Sequence, residues 1–281
     1  MDPSHSSRAA AHIAFIGGGN MARSLIGGLL RDGAPATSIA VAEPDAELGR
    51  ALARDFSVVT HIDNTEAARA ADVLVLAVKP QVMKTVCEGL RDIAQARRPL
   101  VVSIAAGIRI DQLDRWLGRN LPIVRCMPNT PALIGAGAAG LCANTVCTTA
   151  QRNVAQSILA AVGLAVWIDD EAQMDTVTAI SGSGPAYFFL LAEALEDAAV
   201  AQGLPRQAAR ELAAQTCLGA GRMLREDGTA PSELRRRVTS PNGTTQAALD
   251  SFATDGFTQI VTRAVAAATQ RGGELSAGLD R

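Results

Sequence analysis

The first half of the chain alternates short apolar runs with longer segments of mixed polarity. Continuous apolar runs such as Val73–Val78 are typical of parallel strands that are buried on both faces of a sheet. The segments between them space their apolar residues like helices that bury one face. The predicted strands are His12–Ile16, Ser38–Ala42, Val73–Val78, Leu100–Ser103 and Ile123–Cys126, and the predicted helices are Met21–Leu30, Asp45–Arg54 and Gln81–Ile93. This order favours an α/β fold with a mostly parallel sheet and right-handed crossovers.

Beyond about Ile168 the pattern changes, because no further strand-like run follows. Long segments rich in Ala and Leu take over, and their apolar residues recur with helical periodicity. The predicted helices are Pro185–Gln202, Arg206–Arg225 and Phe257–Gln270. Their apolar faces are wider than one small bundle can bury, so we expect the surplus to form a subunit interface. We therefore predict a flexible tail over 1–11, an α/β domain over 12–168 and an all-α dimerisation domain over 169–281.

Composition narrows the possible classes of function. The net charge is −2 and aromatic residues make up 3% of the chain, which argues against a nucleic-acid partner. The three histidines lack a second ligand at metal-binding spacing, so neither a histidine-built metal site nor a Ser-His-Asp hydrolase is expected. The five cysteines form no C-x-x-C pair, which is typical of reduced thiols in the cytoplasm.

The chain also shows no signal for a membrane. Residues 1–11 lack the apolar region of a secretory signal peptide. The longest apolar stretch, Ile158–Ile168, is much shorter than the ~20 residues of a membrane span. We therefore expect a soluble, cytoplasmic protein with no membrane partner.

A glycine-rich segment follows the first predicted strand and opens the first predicted helix. Gly17, Gly19 and Ala22 fit the pattern G-x-G-x-x-A. The first glycine permits a tight turn, the second lets the backbone approach a pyrophosphate, and the small third residue lets helix and strand pack closely. The free amides at the helix start then face the anion. This placement predicts a dinucleotide-binding domain of the Rossmann type, and a loop with a purely structural role is the alternative.

Three further positions are expected to border that site. Glu43 directly follows the second predicted strand, about 20 residues beyond the last position of the glycine motif, where an acid commonly binds the ribose hydroxyls of NAD. A carboxylate there would repel a 2′-phosphate, so NADH is predicted to be preferred over NADPH. Lys79 follows the next long strand, and Ser103–Gly107 offers small side chains that leave room for a nicotinamide ring. An ordinary solvated acid and a lysine that merely ends a strand are the alternatives for the two charged residues.

Two segments of the second half have too specific a composition to be simple connectors. Met127–Leu133 is a polar stretch between prolines after a predicted strand. Val238–Thr245 places Ser, Thr and Gly directly before the helix-compatible segment Gln246–Phe252. Backbone amides and hydroxyls at a helix start form an anion cradle suited to a small carboxylate. A capped helix that binds nothing is the alternative for this segment.

Taken together, these motifs resemble those of the pyrroline-5-carboxylate reductases, and the resemblance extends from Ile13 to about Leu275. The matching segments are IGGGNMA at 16–22, AVKPQ at 77–81, SIAAG at 103–107, CMPNTPALIGAG at 126–137, SGSGPAYFF at 181–189 and VTSPNGTT at 238–245. The resemblance implies reduction of the cyclic imine 1-pyrroline-5-carboxylate to L-proline by hydride transfer from NADPH or NADH, the last step of proline biosynthesis. It also implies a homodimer with interlocked helical domains that complete the substrate pocket, and further assembly into decamers.

The resemblance assigns site residues by position. Backbone groups of Gly243, Thr244 and Thr245 match those that bind the substrate carboxylate, and the Thr245 hydroxyl matches one near the substrate's ring nitrogen. Thr245 is therefore the predicted catalytic residue, with an orienting role because a neutral threonine is a poor acid. Ala22 is added to the cofactor set because it belongs to the glycine motif, and Glu43 because of its position after the second predicted strand. The positions that match the dinucleotide-binding residues of the family are Ile16, Gly17, Gly18, Gly19, Asn20, Met21, Asn64, Ala77, Val78, Lys79, Pro80, Ala105 and Ala106.

One departure and two other functions have to be weighed. The family usually has Gly-Gly where this chain has Asn242 and Gly243, and asparagine tolerates positive φ best among the other residues.

A β-hydroxyacid or 6-phosphogluconate-type dehydrogenase would need a lysine in the helical domain, and none follows Lys84. A dinucleotide sensor without catalysis would be expected to have a damaged 239–245 segment.

Overall fold

The computed structural model describes residues 11–279. The tail predicted over 1–11 lies outside the described residues except for Ala11. The described chain divides into two compact units. The α/β unit extends to Gly182 and takes in the segment from Ala268 onward, and the helical unit is Ser183–Ala267.

The α/β unit is built on an eight-stranded sheet in the order β3-β2-β1-β4-β5-β6-β7-β8. All neighbouring strands run parallel except β6 and β7, which are antiparallel. This arrangement agrees with the predicted mostly parallel sheet. The strands are β1 (Ile13–Ile16), β2 (Ile39–Ala42), β3 (Val59–His61), β4 (Val73–Leu76), β5 (Leu100–Ser103), β6 (Ile123–Met127), β7 (Gly137–Ala143) and β8 (Gly163–Trp167).

Helices cover both faces of the sheet, as the buried strands require. Successive residues of β1 point to opposite sides, so that Phe15 packs with Leu25 and Ile158 on one face while Ile16 packs with Leu90 on the other. Each of these side chains is almost completely buried. The helices of this part of the chain are α1 (Asn20–Arg31), α2 (Ala46–Phe56), α3 (Asn64–Ala68), α4 (Pro80–Arg97), α5 (Ile110–Trp116), α6 (Thr149–Ala160) and α7 (Met174–Val177).

Short helical turns of other types also occur in the α/β unit. A π-helical turn over Thr178–Gly182 continues α7 and ends where the helical unit begins. Three 3₁₀ turns lie in the connections, over Ala36–Ser38, Thr130–Ile134 and Glu171–Gln173.

The helical unit contains the helices predicted from periodicity and two shorter ones. They are α8 (Gly184–Ala201), α9 (Arg206–Glu226), α10 (Pro231–Arg237), α11 (Thr244–Thr254) and the first part of α12 (Phe257–Gly278). Among its described residues, the buried apolar side chains are those of Ala209 and Leu234. By contrast, Phe189 and Leu190 of α8 are 68% and 65% exposed. This unit therefore has helices whose apolar faces find no core within one chain.

The division between the units differs from the predicted boundary at residue 168. Residues after Ile168 still belong to the α/β unit, because Arg125 of β6 forms ion pairs with Glu171 and Asp175. The chain also returns to this unit at its end, since α12 extends to Gly278 and not to the predicted Gln270. Both differences arise from contacts between residues far apart in sequence, which periodicity does not report.

Candidate active site

The glycine-rich loop between β1 and α1 has the geometry of a dinucleotide-binding turn. Gly17 has φ +97°, and a Cβ there would lie 2.8 Å from the carbonyl oxygen of Ala77, so only glycine fits. At Gly19, by contrast, a Cβ would meet no atom within 4 Å, so the space beside the loop is open. Gly19 caps α1 without a side-chain hydrogen bond, which leaves the first-turn amides free of a side-chain cap. Ala22 is buried against the core, as the small third residue of the motif predicts.

Glu43 lies against this loop and is not a freely solvated acid. Its carboxylate accepts a hydrogen bond from the Gly18 amide to Oε2 at 2.9 Å and one from the Asp45 amide to Oε1 at 3.0 Å. A side chain at position 18 would collide with Leu52 at 2.5 Å and approach Glu43. Packing against Leu52 and Glu43 therefore explains why position 18 is a glycine, although this position is variable in the sequence motif.

The turn after β4 contacts the glycine loop. The Ala77 amide donates to the Ile16 carbonyl oxygen at 2.8 Å, and the strand ends at Leu76, two residues earlier than the predicted Val78. Lys79 caps α4 and its side chain is exposed, while Pro80 takes the first helical position, where its missing N–H costs no hydrogen bond.

The turn after β5 and the start of α3 complete the edge of the sheet. The Ile104 amide donates to the Leu76 carbonyl oxygen at 3.1 Å, and Gly107 has φ +77°. Ala105 is buried and Ala106 is exposed, so the turn presents its backbone to solvent at Ala106. Asn64 is the first residue of α3 and is half-buried.

The register of the sheet brings these separate segments together. Ile16 pairs with Ala42 on one side and with Leu76 on the other, and Leu76 pairs with Ser103. The carboxyl ends of β1, β2, β4 and β5 therefore lie level at one edge, where parallel α/β sheets bind their ligands. The loops that carry the predicted cofactor residues all leave the sheet at this edge.

The helical unit carries the predicted substrate segment. Asn242 has φ 60°, so asparagine takes the left-handed conformation that the usual glycine would take. The Gly243 amide donates to the Ser240 carbonyl oxygen at 3.0 Å, and Gly243 caps α11 without a side-chain hydrogen bond. Thr244 and Thr245 are the first two residues of the helix, and Thr245 is half-buried. The turn therefore leaves first-turn amides of α11 without a side-chain cap, as an anion cradle requires.

The polar segment after β6 has a structural role. The buried Asn129 side chain donates from Nδ2 to the Ser181 carbonyl oxygen at 2.9 Å and accepts from the Ala138 amide at 2.8 Å. Both ends of the amide are thus used to fix β7 and the π-helical turn.

Sequence reasoning overlooked a group around Arg125. Arg125 is a buried arginine within the apolar strand β6, and it pairs with Glu171 and Asp175. A charged residue in the middle of the run IVRCM was the available signal, because a buried charge needs a partner.

Two of the cysteine thiols are at least partly buried. Burial raises the pKa of Cys87 to about 12 and that of Cys147 to about 11, so both stay protonated and unreactive at neutral pH. Within residues 11–279, no group of three or more His, Cys, Asp or Glu could hold a metal ion. No helix in the same part of the chain is long and apolar enough to cross a membrane.

Two family models match the chain. Residues 171–275 match the model described as pyrroline-5-carboxylate reductase dimerisation. Residues 12–107 match the model described as NADP oxidoreductase, coenzyme F420-dependent. The first match covers the helices whose apolar faces are exposed in one chain. The first match confirms that the C-terminal region is of the all-α dimerisation type, and the second match supports a nicotinamide dinucleotide as the cofactor.

Relatives match over nearly the full length. The chain is 54% identical to pyrroline-5-carboxylate reductase of Pseudomonas aeruginosa over 266 residues, which cover 94% of this chain and 96% of the relative. It is 46% identical to the enzyme of the same name from Haemophilus influenzae, with coverages of 94% and 97%.

Solved structures agree with these relatives. A pyrroline-5-carboxylate reductase from Coxiella burnetii superposes with a TM-score of 0.92 at 43% identity, covering 95% of this chain and 98% of that one. The Plasmodium falciparum pyrroline carboxylate reductase with NADP bound superposes with a TM-score of 0.81 at 30% identity, with coverages of 95% and 98%. The α/β fold with an all-α C-terminal domain and the resemblance noted from the motifs are both confirmed. The chain belongs to the pyrroline-5-carboxylate reductase family.

Proposed function

We propose that this protein reduces 1-pyrroline-5-carboxylate to L-proline with a nicotinamide dinucleotide as hydride donor, as the last step of proline biosynthesis. The observation that carries the proposal is 54% identity to a pyrroline-5-carboxylate reductase over 94% of the chain. The dinucleotide turn at Gly17 and the start of α11 at Gly243, which has no side-chain cap, support it, because the first suits a dinucleotide and the second suits a small carboxylate.

The residues of the α/β unit fit the cofactor. Gly17 permits the tight turn, Gly19 leaves the backbone approachable, and the start of α1 offers amides to a pyrophosphate. The bound cofactor supplies the hydride, and the chain supplies its position. The proposed cofactor residues are Ile16, Gly17, Gly18, Gly19, Asn20, Met21, Ala22, Glu43, Asn64, Ala77, Val78, Lys79, Pro80, Ala105 and Ala106.

The helical unit is proposed to hold the substrate. The amides of Thr244 and Thr245 at the start of α11 bind the substrate carboxylate, aided by the positive end of the helix dipole. The Gly243 amide already donates to the Ser240 carbonyl oxygen, so Gly243 contributes by forming the turn that presents the two threonine amides. The substrate reacts as its protonated iminium, so hydride adds to the ring carbon, the C=N π pair moves onto nitrogen, and the product is the neutral secondary amine of proline. The Thr245 hydroxyl accepts a hydrogen bond from that N–H and so orients the carbon toward the hydride. Positioning of two reactants can lower a barrier by as much as ~7–11 kcal/mol, so little further side-chain chemistry is needed.

Turnover is the direct test of this function. NADH oxidation is followed by absorbance with and without 1-pyrroline-5-carboxylate, and the product is identified as L-proline by chromatography. Substrate-dependent oxidation with formation of proline is the expected result. Bound NADH without turnover would favour the second hypothesis, a dinucleotide sensor, over an enzyme.

We also propose that NADH is preferred over NADPH. The carboxylate of Glu43 is fixed beside the loop, and the carboxylates of Asp45 and Glu47 follow at the start of α2. The nearby Arg50 is paired with Glu47. A 2′-phosphate adds about −1.5 to −2 charges, which these acids would repel. Two comparisons point the other way. The family model that matches residues 12–107 is described as an NADP oxidoreductase, and the relative from Plasmodium falciparum was solved with NADP bound.

The preference is tested on Glu43. The wild-type protein is expected to show about tenfold higher kcat/KM with NADH, and Glu43→Ser is expected to reduce that ratio to near one by removing about 1.4 kcal/mol of discrimination. The ratio of kcat/KM values for the two cofactors is the measurement. A wild-type preference for NADPH would contradict the proposal.

The proposed assembly is a homodimer through the helical unit that completes the substrate pocket, with dimers assembling further into decamers. Exposed apolar side chains of α8 and the match to a dimerisation domain support the dimer. Light scattering measures the mass directly, and a monomer would contradict the proposal.

The proposed location is the cytoplasm, supported by five cysteines that are all free thiols.

A further inference from the structure

Arg125 is a buried cation in the sheet of the α/β unit. Its side chain is 4% exposed and lies in β6, where it pairs with two carboxylates from the segment after β8. The distances are 3.0 Å from Nη1 to Glu171 Oε1 and 3.5 Å from Nη2 to Asp175 Oδ1. Burial of a guanidinium is tolerated only with such partners.

Glu171 has a second partner that links this ion cluster to the cofactor edge. The same Oε1 atom accepts a hydrogen bond from the Ile110 amide at 2.8 Å. Ile110 is the first residue of α5, and its amide would otherwise be one of the unpaired donors of a helix start. The residue before it, Arg109, donates its amide to Gln112 Oε1 at 2.7 Å. Glu171 therefore caps α5 from another part of the chain.

The capped helix start is the far end of the turn that carries Ala105 and Ala106. The near end of this turn is fixed by the sheet, where the Ile104 amide donates to the Leu76 carbonyl oxygen at 3.1 Å. Arg125 lies directly beside this point, because it pairs in register with Ser103, the last residue of β5. Between its two ends the turn exposes Ala106 and bends through Gly107 at φ +77°.

The other carboxylate of the cluster lies against the last helix. Gly272 and Gly273 of α12 approach Asp175 so closely that a Cβ on either would lie within 3.6 Å of its side chain. One turn further along α12, Ser276 lies beside Gly107, as does Leu279, which directly follows the helix. Asp175 thus contacts the helix that covers the turn but makes no hydrogen bond to the turn itself among the described residues.

We propose that Glu171, held in place by Arg125, is a positioning residue for hydride transfer. It fixes the start of α5 and, through it, the turn of Ala105 and Ala106 that holds the nicotinamide end of the cofactor. This inference rests on the proposed function, which assigns that turn to the cofactor. Hydride transfer depends steeply on distance, and a misplacement of about 1 Å can cost ~100-fold in rate.

The test compares Glu171→Ala with Glu171→Gln in the full-length protein. The alanine variant loses the cap on Ile110, and its kcat is expected to fall about tenfold, because the turn is no longer held at one end. The primary isotope effect with C4-deuterated NADH is expected to rise, because hydride transfer becomes more rate-limiting. The glutamine variant keeps an Oε1 acceptor for Ile110 and Arg125, so its kcat is expected to recover to within about threefold of wild type.

Asp175→Asn is the matched control, because it weakens the same ion cluster without touching the cap. Its kcat is expected to stay near that of wild type, whatever happens to its melting temperature. A Glu171→Ala variant that is folded by circular dichroism and retains kcat within about twofold would overturn the inference. The inference also fails if Glu171→Gln is as impaired as Glu171→Ala, or if Asp175→Asn is equally impaired. Failure of the wild-type protein to turn over would instead overturn the proposed function, and the inference with it.

Discussion

The two units of this protein bury their apolar residues in different ways. In the α/β unit, Phe15 and Leu25 are completely buried within a single chain. In the helical unit, Phe189 is 68% exposed, although its helix is as regular as any in the α/β unit. The first unit therefore closes its own core, while the second presents a core that another surface has to complete. A helix can therefore form without burying its apolar face, and in the helical unit that face is buried only when the unit associates with another surface.

The largest effect is expected from a charge on the exposed apolar face. Phe189→Asp would place a carboxylate in the proposed subunit interface, where an unpaired charge costs at least about 3–5 kcal/mol. The dimer dissociation constant is expected to rise more than ~100-fold, with loss of activity on dilution. Sedimentation velocity over a range of concentrations is the measurement.

A matched change in the other unit serves as its control. Val146 is also an exposed apolar residue, at 41%, but it lies in a loop of the α/β unit. Val146→Asp is expected to leave the mass unchanged. Dissociation of the Val146 variant, or an intact dimer for the Phe189 variant, would contradict the distinction between the units.

A substitution that creates a cavity in the core of the α/β unit tests whether that core is stable without association. Leu25→Ala is expected to lower the free energy of unfolding by about 2–5 kcal/mol, because Leu25 is fully buried between α1 and the sheet. The loss is expected to be the same at low and high protein concentration, unlike that of Phe189→Asp. Urea denaturation at two concentrations measures it, and a strong concentration dependence would argue against an independent core.

Removal of the Thr245 hydroxyl tests whether the helical unit contributes to catalysis separately from cofactor binding in the α/β unit. Thr245→Ala is expected to lower kcat about 10-fold to 100-fold, because the imine nitrogen loses an orienting hydrogen bond. The Kd for NADH is expected to stay unchanged, since the dinucleotide turn belongs to the α/β unit. Thr245→Ser retains the hydroxyl and should restore most of kcat. Steady-state kinetics and NADH titration by fluorescence measure both quantities, and an unchanged kcat in the alanine variant would remove Thr245 from the mechanism.

The smallest effect is expected at Asn242. Its φ of 60° is one that asparagine and glycine both accept, so Asn242→Gly should alter the free energy of unfolding by less than ~1 kcal/mol. Asn242→Val should raise the KM for the imine, because a β-branched residue resists this conformation. Substrate saturation curves distinguish the two variants, and equal KM values would show that the turn does not shape the site.

Several local features could be predicted from the sequence because local interactions govern them. Helix α9 is predicted over Arg206–Arg225 and extends over Arg206–Glu226, since most of its residues are good helix formers and its two glycines do not interrupt it. The glycine loop was recognised for the same reason, because Gly17 has a conformation that no other residue takes easily. Motif spacing then pointed to the family that the relatives confirm.

Other elements were missed because their own residues do not specify them. β7 runs through GAAGLCA, and glycine and alanine have low strand propensity, so the strand depends on pairing with its neighbours β6 and β8. β3 has only three residues and lies at the edge of the sheet. Such strands are stabilised by the sheet that they join, and they leave little signal in a single sequence.

By itself, the sequence determined the alternation of strands and helices, the dinucleotide turn and the glycine and threonine start of α11. Each depends on residues within about one turn of one another, where propensity and backbone sterics act. Only the tertiary structure decided that Glu43 bonds the glycine loop, that Glu171 caps α5 from 61 residues away, and that the end of α12 returns to the α/β unit. These contacts join residues far apart along the chain, so their partners are chosen by the packing of the whole unit and not by any local pattern.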